Sequence, residues 1–270
     1  MEIEPTAREF DLISLAASSA VLTTRDDQYG FPWLLDAAHV SRRRGGRFRL
    51  VDSGKNDIVS LIWLAEAGAH IFTSDEARPD PKEVIDVQRA GRKSGALTYY
   101  YIYGLLTGDS TGARFSADAV ELGRSGADLH LSNRERPRET GLLLDLARAC
   151  VYGRGRLVYY HFGRPEPFLE NAAEAGAWIH WSNPGPAPEQ HLFLLKDILA
   201  AGRKSGAGLI LHVEDAWPVT LLNELRREGA FLHFHTPQSE RASDRRTLEL
   251  ISARRAPDFR AFYLHADFLP

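Results

Sequence analysis

The chain has 270 residues, 44% of them hydrophobic and 26% charged, with a formal net charge of −3. A chain of this length and composition buries a sizeable core without staples, and its slightly acidic balance gives no footing for a nucleic-acid partner. One cysteine, Cys150, excludes an intramolecular disulfide. The acidic opening MEIEPTAREF is unlike a signal peptide, and no apolar run reaches the ~18 residues that cross a bilayer. These features lead us to expect a cytoplasmic protein with a small-molecule ligand and neither a nucleic-acid nor a membrane partner. They leave its oligomeric state open.

The predicted elements alternate between helix and strand. Thr6–Ala17 reads as a helix, Ala20–Thr24 as a strand, Pro32–Arg42 as a helix and Phe48–Asp52 as a strand. Helix Ile58–Ala67 then ends at Gly68, and strand Ala69–Ser74 follows. The alternation continues through helix Pro81–Arg92, strand Leu97–Tyr103, helix Ala117–Gly126, strand Asp128–Ser132, helix Arg138–Tyr152 and strand Leu157–His161. The later elements are helix Phe168–Gly176, strand Trp178–Ser182, helix Glu189–Ala201, strand Leu209–Val213, helix Thr220–Gly229 and strand Phe231–His235. Helix Asp244–Arg255 and strand Ala261–His265 close the series.

A repeat organises the series. AEAGAHIFTSD from Ala65 returns as AEAGAWIHWSN from Ala173, 108 residues later, and AGRKSGA from Ala90 returns from Ala201, 111 residues later. Short strands alternating with helices of about 10–15 residues indicate βαβ units and a parallel sheet. Repeated units bury their apolar faces against like neighbours, which favours closure. The expected fold is therefore a TIM-like parallel (βα) barrel built from repeated βαβα units, one domain over 1–270. Ten strands are predicted where a standard barrel has eight. The N-terminal unit matches the repeat least well and is the first suspect for lying outside the barrel. Gly-Ala pairs before the strands (Gly68-Ala69, Gly126-Ala127, Gly176-Ala177, Gly229-Ala230) fit helix ends turning tightly into strands.

Eight of the ten histidines fall within or next to predicted strands: His70, His130, His161, His180, His212, His233, His235 and His265. Residues two apart in a strand share a face. Three successive strands thus carry His-x-Glu (His212, Glu214), His-x-His (His233, His235) and His-x-Asp (His265, Asp267) near their C-terminal ends, where parallel barrels place their active sites. Imidazole with carboxylate suits a divalent transition metal such as Zn, Mn or Fe, so His212, His233, His235 and Asp267 are candidate ligands. His212, Glu214, Asp215 and His235 are candidate acid–base groups, with or without the metal. Other strand-end groups, Asp52, Lys55, Asp75, His161 and Arg164, are candidate substrate contacts, although Ser, Thr, Asp and Asn in such places also serve as helix caps. Lys93 and Lys204 repeat but precede strands, where helix capping explains them.

The leading expectation is an enzyme acting on a small polar metabolite, of sugar or carboxylate type, by metal-assisted or His/acid chemistry: hydrolysis, isomerisation or aldol cleavage. The rival is a non-catalytic barrel that binds a ligand or serves in an assembly. In that case the histidines should be hydrogen-bonded among themselves.

Overall fold

The structure is a computed structural model that describes residues 7–104, 110–134, 137–182, 189–213 and 217–234. Nine parallel strands alternate with helices, and sheet order follows chain order from β1 to β9. An order without reversal has no switch point, so the arrangement is not doubly wound. The last predicted helix, Asp244–Arg255, and the tenth strand, Ala261–His265, lie outside the described residues. Among the described residues no helix is long and apolar enough to cross a membrane. The contacts of the chain gather into two compact units, Met1–Leu129 with Gly153–Gly155, and His130–Tyr152 with the chain from Arg156 onward.

The first unit holds α1 (Ala7–Ser18), β1 (Val21–Arg25), α2 (Phe31–Arg43), β2 (Arg47–Val51), α3 (Ile58–Ala67), β3 (His70–Ser74), α4 (Pro81–Ser94), β4 (Thr98–Ile102) and α5 (Ser110–Ser125). β1 pairs with β2, β2 with β3 and β3 with β4, all parallel. The N-terminal unit, the first suspect for lying outside, contributes a full sheet member: β1 is bonded along its length from Val21–Arg47 to Arg25–Val51. Local chemistry starts and stops α3 and α4. Asp57 caps α3 by accepting from Ser60 N at 2.7 Å, and Gly68, at φ 106°, takes the left-handed turn that ends it. One sheet face is covered by helices: Phe48, Leu50 and Ile71 pack in a buried cluster with Leu34, Leu61, Leu64 and Val87. Each large side chain so buried contributes about 1.5–3 kcal/mol.

The second unit holds the rest of β5 (Asp128–Ser132), α6 (Thr140–Gly153), β6 (Leu157–Phe162), α7 (Phe168–Glu174), β7 (Trp178–Ser182), α8 (Leu192–Ser205), β8 (Leu209–Val213), α9 (Val219–Arg227) and β9 (Phe231–Phe234). β6 to β9 pair in sequence, again parallel. Its helix-covered face is carried by Tyr159, Ile179, Trp181, Leu209, Leu211 and Val213, all buried, with Tyr159 edge-on to Phe168 of α7.

The repeat is an architectural device. Ser94 donates its hydroxyl to the Ala65 carbonyl at 2.6 Å, and Ser205 donates to Ala173 at 2.6 Å. GRKSG of one helix thus ties to AEAGA of the helix before it, α4 to α3 and α8 to α7. Arg92 donates to the Ser125 carbonyl and Arg203 to the Glu228 carbonyl, closing the end of the helix that follows. Those carbonyls are the ones a helix C-terminus leaves unpaired.

Candidate functional site

On the second unit's other face, polar rings line up across the strands. Pairing sets Tyr160 opposite His180, Ser182 opposite His212 and His212 opposite His233. Positions two apart share a face, so Tyr160, His180, His212 and His233 all stand on one side of this sheet. The rings meet directly. His180 Nδ1 lies 2.9 Å from His212 Nε2, and the His212 and His233 ring centres are 5.0 Å apart. Tyr160 packs on His180 at 4.5 Å, and its hydroxyl lies 3.3 Å from His130 Nδ1. His212 belongs near the C-terminal end of β8, and His233 holds the matching place on β9.

Burial grades along the row. His130, His180 and His212 are buried, whereas His233 is half-buried. Burial pushes the His130 imidazole down to about 3. His180 is held well below the ordinary value, by burial first and then by the neighbouring His212, His130 and His233. Both rings are therefore neutral at pH 7. In the His180–His212 contact one ring donates the proton and the other accepts it, the arrangement in which a neutral imidazole can pass a proton on.

The sequence-predicted residues divide. His212 and His233 come together as described. Glu214, Asp215, His235 and Asp267 lie outside the described residues. Among the described residues no group of three or more His, Cys, Asp or Glu side chains gathers as a metal-ligand set. His161 stands next to Tyr160 in β6 and so faces the other way, apart from the row of rings. Its Nε2 donates to the Arg164 carbonyl at 2.8 Å, and its Nδ1 lies 3.2 Å from Asn133 Nδ2. Burial holds its basicity below the ordinary value. The Arg164 side chain is exposed, and Lys55 is exposed with Nζ 3.4 Å from the Asp27 carbonyl.

Asp52 and Asp75 act as staples within the first unit. Asp52 receives Arg78 through both carboxylate oxygens, at 2.9 and 3.0 Å, together with the Thr73 hydroxyl at 2.7 Å and Gly54 N at 3.0 Å. Arg78 is held above its ordinary value by that pairing. Asp75 receives Tyr103 N at 3.0 Å and Gly104 N at 3.0 Å. Asp26, fully buried, receives Ser53 N at 2.9 Å along with the Ser53 hydroxyl and Asn56. In each case the residue after one strand holds the loop after the next strand. In the second unit Asn133, after β5, holds the end of the next strand instead: its Oδ1 accepts from N of Phe162, the last residue of β6, at 2.8 Å.

Sequence reasoning noted His180 only as one strand histidine among several and did not weigh Tyr160 as part of a site. Strand periodicity gives the face of each residue but not which rings touch across strands. The usable signal was WIHWS beside LILHV, two parallel strands with histidines one pleat apart.

No protein-family model matches the chain, and no curated protein matches it by sequence. Among solved structures it is similar to the citrate synthase variant SbnG, at 10% identity over 75% of this chain and 90% of that one, with a TM-score of 0.32. It is also similar to a tetrameric deoxyribose phosphate aldolase from Aeropyrum pernix, at 11% identity over 77% and 94%, TM-score 0.31. CpGH84B matches at 9% identity over 81% of this chain and 45% of that one, TM-score 0.34. Likeness at this level carries no residue-to-residue correspondence.

Proposed function

We propose that the protein is an enzyme acting on a small polar metabolite, of sugar or carboxylate type, by general acid–base chemistry at the strand C-terminal ends of the second unit. His212 exchanges the proton with substrate, and His180 positions His212 and sets its tautomer. The supporting observation is the 2.9 Å contact between His180 Nδ1 and His212 Nε2 beside the half-buried His233. A general base needs a group within hydrogen-bond reach of its proton and a partner that orients it. His180 is such a partner. His233, Glu214, Asp215 and His235 complete the substrate side in this reading. A barrel closed from the sequentially ordered strands belongs to the same proposal. So does a divalent Zn, Mn or Fe ion taken by His212, His233, His235 and Asp267, which would polarise a carbonyl or activate water. Because Nε2 of His212 faces His180, the metal would have to approach His212 through Nδ1.

A second reading has its own support. Mutual hydrogen bonding of buried histidines is what a non-catalytic, ligand-binding barrel would contain, and His130, His180 and His212 are 1%, 5% and 2% exposed. A turnover screen separates the two. Sugars, sugar phosphates and hydroxy- or keto-acids are incubated with the wild type and with His212→Gln and His233→Ala, and products are followed by NMR. Turnover lost in folded variants supports the enzyme. Saturable binding without turnover supports the rival. Elemental analysis of tag-free protein beside His233→Ala/His235→Ala tests the metal: near-stoichiometric metal lost in the variant is expected, and none in either sample after reconstitution removes the metal from the proposal.

A further inference from the structure

β2 of the first unit is an unusual parallel strand. Strands buried between layers are apolar on both faces, yet RFRLV alternates, with Phe48 and Leu50 buried under helices and Arg47 and Arg49 on the opposite face. Pairing sets Arg49 opposite His70 at the start of β3. Neighbouring strands are about 4.8 Å apart, so Arg49 stands directly beside His70, and Arg47 lies two positions back on the same face. Arg47 is exposed, and Arg49 and His70 are half-buried. The Leu97 amide donates to His70 Nδ1 at 3.3 Å, which leaves the proton of the neutral ring on Nε2 as a donor.

The internal repeat shows that the architecture does not require this chemistry. His70 corresponds to Trp178 (70 + 108), and Val158 pairs with Trp178 as Arg49 pairs with His70. The second copy is therefore apolar at both positions. Only Arg47 keeps a counterpart, Arg156, whose guanidinium lies over the Trp178 ring at 5.8 Å. Burial, and then the fields of Arg47 and Arg49, push the His70 imidazole down to about 4. The two arginines thus add positive charge around a ring whose Nε2–H is a donor.

We propose that Arg47, Arg49 and His70 form a binding site for a small oxyanion, a phosphate or a carboxylate, at the N-terminal ends of β2 and β3. Guanidiniums take either group by paired N–H donors, and His70 Nε2 adds a third direction. The site is independent of the acid–base row and stands whether or not that row is catalytic.

The test uses the full chain with ¹⁵N-labelled histidine and arginine, titrated with inorganic phosphate against sodium chloride of matched ionic strength. A saturable shift of the His70 ring nitrogens and of Arg47 and Arg49 Nε with phosphate, but not with chloride, is expected. Arg47→Gln/Arg49→Gln should weaken it tenfold or more. If that variant misfolds, Arg47→Gln alone, at an exposed side chain, should still weaken binding at least threefold. An acetate arm names the ligand: a response confined to phosphate marks a phosphoryl ligand, and one to acetate as well marks carboxylates. No saturable response to either anion, or binding unchanged in the variants, overturns the site.

Discussion

His180 Nδ1 and His212 Nε2 lie 2.9 Å apart in a buried setting, so the two rings hold one proton between them. Truncating either one strands the other beside an apolar replacement, whereas removing both relieves the mismatch. A double-mutant cycle with His180→Phe and His212→Phe should therefore give a coupling of about 0.5–3 kcal/mol in unfolding free energy. Simple additivity would contradict the contact.

The buried histidines also set a pH limit. The folded-state value of His130 lies near 3 against an ordinary 6.5, and His180 is lowered in the same direction. Below pH 6.5 the unfolded chain therefore binds more protons than the folded one. Stability is full above that value and falls as the pH drops toward 3, by about 1.4 kcal/mol per pH unit for each such ring. Urea midpoints at pH 7, 6 and 5 should decline, and His130→Gln should decline less steeply. An identical slope in the variant would contradict the assignment.

Asp52 looks in sequence like a ligand-contacting group, but its carboxylate is occupied by Arg78, whose side chain is only 10% exposed. Asp52→Asn removes that guanidinium's hydrogen-bonded counter-charge and should cost about 3–5 kcal/mol. Asp27→Asn, which breaks the exposed pair with Arg25, serves as the comparison and should leave the melting temperature unchanged. A stable Asp52→Asn protein would show that Arg78 finds another partner.

The two serine ties should behave alike. Ser94→Ala and Ser205→Ala each remove a hydroxyl bonded to a carbonyl of the preceding helix and should each cost about 1 kcal/mol. Lys93→Ala and Lys204→Ala, at exposed positions beside them, should have no comparable effect on denaturation midpoints. Equal losses from lysine and serine variants would mean that charge, not the tie, explains the repeat.

Much of the fold was legible because its signals are local. β5, β7 and β8 run between the predicted bounds, since a short apolar run between glycine-ended helices leaves little choice of limits. α5 was read from Ala117 but begins at Ser110, because Thr111 and Gly112 are weak helix formers that hid its first turns. The site was legible only by face. Period-two reading put His212 and His233 on the right side of their strands. The bond from His180 runs diagonally to His212, whose register partner is Ser182. Pairing of that kind is settled between strands and leaves no trace within one. Likewise nothing in VDSGK announces that Asp52 will meet Arg78, 26 positions on.

The staples of the first unit point one way along the chain. Asp26 takes the loop after β2, Asp52 takes Arg78 after β3, and Asp75 takes the backbone after β4. Each acceptor is thus synthesised before its donors. As the chain leaves the ribosome, β1, β2 and β3 each carry a carboxylate waiting for the segment still to emerge, and N-terminal parts fold first during synthesis. The order of translation and the order in which these loops can lock are the same. A circular permutant opened within α3 would keep these bonds in the native state but would make Asp52 wait for neither Thr73 nor Arg78, which would already be in place.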